Sequence, residues 1–247
     1  MRAPDRLGHV LTVSFPAAAM GTNCYVFARE RGSECVVVYP GIGVTDQLFE
    51  VLGELDLKPT AVLLTHGHLD HTFSVTPVCG GRIAAHIHAD DRYRLVNPYD
   101  QLGPQLRGML EQSFGKSATW REPEKVVSIH EGEPLELAGL TFGVTHAPGH
   151  TEGSVMFTVD EVPDGLDDAV AATVNQSVIT GDVLFAGSIG RTDLEGGSDA
   201  AMQQSLRTKV LPLPDSSLIL PGHGPASTMA RERVSNPYLQ ALQGSGA

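Results

Sequence analysis

The sequence is short of cysteine, of basic residues and of aromatics, and it has no long apolar run. Its 3 cysteines, Cys24, Cys35 and Cys79, stand far apart with no C-x-x-C pair. That spacing excludes a disulfide framework and a zinc knuckle, and suits small buried hydrophobes in a reducing compartment. Lys and Arg number 17 against 29 Asp and Glu, a net charge of −12. Nucleic acids are held by clustered cations, and no basic run occurs, so a nucleic-acid partner is excluded. The acidity reads instead as a solvated surface. No stretch approaches the roughly 18 apolar residues that a membrane-spanning helix needs, so no membrane partner is expected.

What remains is the composition of a globular protein: 247 residues, 41% apolar and 19% charged. The length permits a substantial core, and one domain spanning 1–247 is the economical reading, because no low-complexity linker divides the chain. The N-terminal "MRAPDRLGHVLTVSFPAAAM" loosely imitates a signal peptide, but Asp5, His9 and Pro16 interrupt it and "HVLTVSF" alternates like a strand. The strand is preferred, and cytoplasmic localisation is the expectation. Strands are predicted at "NCYVFAR", "ECVVVY", "TAVLLT", "RIAAHIH", "KVVSIH", "PLELAG", "LTFGVTHA", "SVMFTVD", "SVITGD" and "SLILPGHG". "VTDQLFEVLGEL" and "SDAAMQQSLRTKVL" have helical periodicity, the first capped by Thr45 or Asp46 and the second starting at Ser198 or Asp199. Residues 89–124 read as helix plus loop; Leu102, Leu106, Met109, Leu110, Phe114 and Trp120 make either a lid over a pocket or a helix covering the sheet. "DEVPDGLDDAV" reads as a surface loop. Interleaved strands and helices give an α/β protein.

The chemistry concentrates in "LLTHGHLDHT", residues 63–72, where His66, His68, Asp70 and His71 crowd at the end of an apolar strand. Side chains this close repel or compete for partners unless a cation organises them. Three further turns share the layout of apolar strand, glycine and metal-type ligand: "VTHAPGHTEGS", "VITGDVLF" and "LILPGHG". They add His150, Asp182 and His223. His66 and His68 are two apart, so extended backbone points them the same way. The set divides between two ions: His66, His68 and His150 on one, Asp70, His71 and His223 on the other, with Asp182 across both. His86 and His88 form an H-x-H with no carboxylate–histidine pair after it, and are read as locally bonded strand residues; His146 orients a ligand or its loop. His9 and His130 carry no signal.

The full T-H-x-H-x-D-H, followed in order by P-G-H-T, T-G-D and P-G-H-G, resembles the metallo-β-lactamase-fold hydrolases over nearly the whole chain. "PGHTEGS" and "GRTDL" are most similar to the short glyoxalase II-like (hydroxyacylglutathione hydrolase-like) branch. The resemblance implies an αββα sandwich of two mixed β-sheets flanked by helices. It also implies two divalent ions, with zinc expected and iron or manganese as alternatives, and hydrolysis of a small-molecule thioester by a metal-bridging hydroxide. Asp70 would hold one ion beside the nucleophile and orient it or accept its proton. Arg191 of "GRTDL" either meets a substrate anion or pairs with an Asp. No separate C-terminal helical domain for glutathione is expected. Most members of the family have Asp before the "PG" that ends the third strand; here Tyr39 stands there, which bears on activity or stability more than on metal binding. Three other readings stay open: a mononuclear-iron persulfide dioxygenase, a lactonase, and a metal-binding protein with weakened activity. A true β-lactamase is disfavoured because the site retains Asp182.

Overall fold

Parallel strands need crossover connections, and the order of apolar runs supplies them. In the computed structural model, which describes residues 8–98, 104–114 and 120–244, β1 (His9–Pro16), β2 (Asn23–Ala28) and β3 (Glu34–Val38) form an antiparallel meander. α1 (Thr45–Glu54) then crosses over to β4 (Lys58–Leu63), which pairs with β3 in parallel. α2 (Leu69–Thr72) and α3 (Val75–Cys79) lead to β5 (Ala84–His88), and α4 (Pro104–Phe114) precedes β6 (Val126–Ile129), both again parallel. β7 (Leu135–Leu137), β8 (Leu140–His146) and β9 (Val155–Val159) open a second, antiparallel sheet.

β10 (Val162–Pro163) crosses back to pair in parallel with β1 at the edge of the first sheet. After α5 (Asp168–Ala171), β11 (Gln176–Gly181) rejoins the second sheet beside β9. α6 (Asp199–Ser205) carries the chain to β12 (Ser217–Pro221), parallel to β11, and β13 (Ser227–Thr228) closes that edge. α7 (Met229–Ser235) and α8 (Pro237–Gly244) follow. The first sheet runs β10-β1-β2-β3-β4-β5-β6 and the second β13-β12-β11-β9-β8-β7.

The layers follow from which faces are apolar. Phe27, Leu63, Ile129, Phe142, Phe157 and Ile179 interdigitate between the sheets. Val26, Val37 and Val62, on the opposite face of the first sheet, meet Leu48 and Leu52 of α1. Ile219 and Val178, on the outer face of the second sheet, meet Met202 and Leu239. The central strands β2, β3, β4, β11 and β12 are therefore apolar on both faces, as the continuous run at "TAVLLT" indicates, and burial of each large side chain contributes roughly 1.5–3 kcal/mol. The result is an αββα sandwich of two mixed sheets. No described helix is long and apolar enough to cross a membrane.

Several local expectations are corrected. α1 starts after Val44 without a side-chain cap, because Val44 is buried in the helical region and the Thr45 and Asp46 side chains are inside the first turn. "DEVPDGLDDAV" is not simply loop: Val162 and Pro163 are buried as β10, and Asp167 caps α5 by accepting from the Ala169 amide. Segment 89–124 begins with a 3-10 helix over Ala89–Leu95. On α4, Leu110 is buried against Ile42 and Leu69 while Met109 is exposed, and Trp120 Nε1 donates to the Leu95 carbonyl at 2.9 Å. The side chains of Leu102, Leu106 and Phe114 lie outside the described residues. Cys24, Cys35 and Cys79 are free and buried, and burial pushes the Cys35 thiol up to about 12.

Candidate metal centre

The two sheets bring the ends of β4, β11 and β12, and the turn after β8, to one edge of the sandwich. Beyond β4 the chain runs through Thr65 to His66, turns at Gly67, and enters α2 at Leu69 with His68 in extended backbone just before it. His68 therefore projects from a strand-like position, and Asp70 and His71 from the first turn of a helix. His150 follows Gly149, Asp182 follows Gly181, and His223 follows Gly222. Gly222 has no room for a side chain: a Cβ there would lie 2.3 Å from Asp182 Oδ1 and 2.6 Å from His71 Cε1. Gly181 combines a φ of 53° with a Cβ position 2.3 Å from Thr65 Oγ1.

All the residues singled out as ligands in the sequence come together. Candidate ligand atoms of His66, His68 and His150 lie within 4.8 Å of one another, as do those of His66, His71 and Asp182, and those of Asp70, His71 and His223. His68 Nδ1 is 2.8 Å from His150 Nε2, and His71 Nε2 is 3.2 Å from His223 Nε2. Asp182 lies between the two groups. Its Oδ1 is 3.3 Å from His71 Nε2, and its Oδ2 is 3.6 Å from both His150 Nε2 and His223 Nε2. Asp70 Oδ2 is 3.0 Å from His223 Nε2.

Neighbouring groups aim the rings. His150 Nδ1 lies 2.8 Å from the Arg191 carbonyl, the geometry of a donated bond that leaves Nε2 with its lone pair toward the cluster. His66 Nδ1 is 3.2 Å from Thr65 Oγ1, which turns Nε2 inward. Thr22 Oγ1 donates to Asp70 Oδ2 at 3.0 Å, and the same residue pairs with His223 in an isolated β-bridge. Thr22 has no signal in the sequence, whereas Thr65 is the leading threonine of the T-H-x-H-x-D-H run. Arg191 reaches the cluster through its backbone carbonyl, and its guanidinium makes two 2.7 Å bonds to Asp193. Tyr39 is buried with a φ of 53°, its ring edge-on to His71 at a centroid distance of 5.0 Å.

The electrostatics fit a cation. Burial first, and neighbouring imidazoles next, hold His66 well below its ordinary value. Burial and then His150 push His68 down to about 3. His150 is also lowered, chiefly by burial. Burial by itself would raise the carboxyls of Asp70 and Asp182, but the facing histidines outweigh it and keep both below the usual range. Neutral imidazoles and ionised carboxylates are the forms a metal binds. His66 Nε2 and Asp182 Oδ1 are buried with no hydrogen-bond partner, a cost of about 1–3 kcal/mol each that a cation between them would remove. The donor set fits a divalent ion.

Ligand atoms of His88, Asp90 and His146 also lie within 4.8 Å of one another. Their ring nitrogens are engaged locally. His88 Nδ1 accepts from the Asp90 amide at 3.3 Å, and His146 Nε2 is 2.8 Å from the Glu152 carbonyl. His86 Nδ1 is 3.4 Å from the Val62 carbonyl.

Residues 18–164 match the family model described as the metallo-beta-lactamase superfamily. The chain belongs to that superfamily. It is 33% identical over 227 residues to the hydroxyacylglutathione hydrolase GloC of Haemophilus influenzae, covering 92% of this chain and 96% of that one. The crystal structure of the BLEG-1 B3 metallo-beta-lactamase superposes with a TM-score of 0.72 at 30% identity, covering 93% of this chain and 99% of that one. TTHA1623, solved in a di-iron-bound form, gives 0.66 at 30% identity, covering 92% and 100%. As a superfamily member with these His/Asp groups, the chain is a metal-dependent hydrolase that binds divalent metal.

Proposed function

We propose that the chain hydrolyses thioesters of a small thiol at a dinuclear centre. His66, His68 and His150 hold one ion, Asp70, His71 and His223 the other, and Asp182 spans both. The observation that carries the reading is the Asp182 carboxylate, with one oxygen toward His71 and the other toward His150 and His223. Similarity to GloC supports the thioester class, and the di-iron form of TTHA1623 supports a pair of ions. Zinc is the proposed metal, with iron and manganese as alternatives that the same donors accept.

When bound, two such ions supply Lewis acidity, bringing the pKa of water toward 7 and polarising a carbonyl oxygen. The chain's own residues set the direction of approach. His66 and His71 are fully covered and form the floor, whereas His68 and His223 are partly exposed, so substrate enters over those two rings. Asp70 is held ionised by His71 and His223 and fixed by Thr22, which makes it a weak base suited to orienting a water rather than storing its proton. Hydrolysis forms a C–O bond and breaks the C–S bond. The sulfur departs as a thiolate of pKa about 8.5, so no strong general acid is required. Arg191 is proposed to meet a substrate anion only if its bond to Asp193 opens. The single domain over 1–247 and cytoplasmic location belong to the same proposal.

The test pairs elemental analysis of freshly purified protein with a panel containing S-lactoylglutathione, lactones, persulfides and β-lactams. Two ions per chain and preferred thioester cleavage are expected. One iron with oxygen uptake would replace this reading by a persulfide dioxygenase. The 30% identity to BLEG-1 favours one competitor, so β-lactam as the best substrate would move the chain to that class.

A further inference from the structure

The turn bearing His66 and His68 belongs to the first sheet and the turn bearing His150 to the second. One buried carboxylate joins them. Asp91, in the 3-10 helix after β5, is completely buried. Its Oδ2 accepts from the Gly67 amide and from Thr151 Oγ1, both at 2.8 Å, and its Oδ1 accepts from the Gly153 amide at 2.9 Å. Arg94 Nε lies 3.4 Å from the same Oδ1, and Arg94 Nη2 bonds Glu152 Oε2 at 2.8 Å and the Glu195 carbonyl at 2.9 Å. Gly67 sits between His66 and His68, and Thr151 directly follows His150.

The packing leaves no slack in this joint. A Cβ at Gly67 would lie 2.6 Å from Arg94 Cβ, and one at Gly153 would lie 2.5 Å from the Asp91 amide nitrogen. A carboxylate offers only acceptors, on two oxygens, and here both are used by donors from the two ligand turns. An amide side chain accepts on one oxygen alone: with that oxygen in the place of Oδ2 it keeps Gly67 and Thr151 but turns an NH2 donor toward the Gly153 amide and Arg94 Nε, so it cannot satisfy all three donors and loosens the His150 turn.

We propose that Asp91 is a positioning residue of the metal centre: it sets the separation of the His66–His68 turn from the His150 turn and thereby the affinity for the ion those three histidines hold. None of its hydrogen bonds above involves Asp70, His71 or His223, so the second ion is not under its control. The proposal rests on the dinuclear reading of the site and is independent of the substrate.

The experiment uses the full chain, with Zn(II) and Co(II) as probes, titrated against a competing chelator. His150→Ala and His223→Ala identify which step and which Co(II) absorption band belongs to which ion. In Asp91→Asn, the affinity for the ion at His150 is expected to fall about ten- to a hundredfold, as for other groups that orient ligands. Its Co(II) band shifts, and the ion at His223 keeps its affinity. Thr151→Val removes a single donor to Asp91 with little change of shape, so a smaller fall at the same ion is expected there even if Asp91 variants fold poorly. Equal weakening of both ions, weakening of the His223 ion alone, or an unchanged titration and spectrum in both variants would overturn the proposal. Stoichiometry of the unmodified protein is read first. If that protein binds a single ion, the dinuclear reading fails, while the effect of Asp91 on the ion at His150 is still measured.

Discussion

At the scale of single residues, the cluster is a set of groups whose charges are coupled, and this has two measurable consequences. The first concerns Asp182, whose carboxylate faces both halves. Asp182→Ala is expected to bring metal content from two ions to one or none and to lower turnover by at least about a hundredfold, since a ligand and a bridging charge go together. A variant that keeps both ions by elemental analysis would contradict the assignment. The second concerns pH in the metal-free protein. His68 has an ordinary value of 6.5 and a folded value near 3, with burial as the main cause and His150 next. Between those values the unfolded chain binds a proton that the folded chain refuses. The stability tied to His68 is therefore whole above about 6.5 and is lost as pH falls. His66 and His150 act in the same sense. His223 is raised, by Asp70 and Asp182 against the opposing effect of burial, so its share is present at low pH and lost as pH rises through its folded value. His68, with its folded value near 3, stays neutral in the folded chain throughout the interval in which its unfolded form takes up a proton, and it sets the expected sign. Denaturant midpoints of metal-stripped protein are expected to be lower at pH 5 than at pH 7, and a higher midpoint at pH 5 would refute this balance.

At the scale of elements, ligands are aimed by how strands stop. Each of the four ligand turns lies just beyond a strand end, and the glycines there are fixed by contact. Gly222→Ala is expected to push Asp182 and His71 apart, because the new methyl has no position clear of them. Loss of metal content with an intact circular dichroism spectrum is the readout. Helix caps separate the legible from the illegible. Ser198 was readable as a helix start and does cap α6, accepting from the Ala201 amide at 3.3 Å. Ser198→Ala should cost about 1 kcal/mol and roughly 2–4 °C in thermal midpoint. α1 shows the opposite outcome. Thr45 and Asp46 have capping chemistry, yet the chain enters that helix from a buried residue, and tertiary packing of Val44 overrides the local preference. β10 escaped notice for a similar reason. Two residues cannot show a period, and only their pairing with His9 and Val10 makes them a strand.

At the scale of the whole molecule, the site is where two separately covered sheets meet, so binding and folding are linked. A cation bound at a thousandfold excess over its Kd stabilises the fold by about 4 kcal/mol. Treating the protein with a chelator should lower the thermal midpoint by on the order of ten degrees, and zinc added back should restore it. An unchanged midpoint would mean that no ion is tied to the folded state. The shared core is the other support of this geometry. Phe157 is fully buried between the sheets, and Phe157→Ala is expected to cost about 3–5 kcal/mol in a denaturant titration.

The sequence alone determined the alternation of strands and helices and the candidate ligands, because apolar period and ligand spacing are properties of neighbours along the chain. Only the tertiary structure decided how those ligands are held. Thr22, Asp91 and the Arg191 carbonyl carry no sequence signature, since each acts through a partner met only when the two sheets fold together. The sequence leaves Arg191 to either a substrate anion or an Asp, and folding puts its carbonyl against His150 while Asp193 engages its charge. A short-range pattern names the donors; long-range packing sets the distances between them, and metal chemistry depends on both.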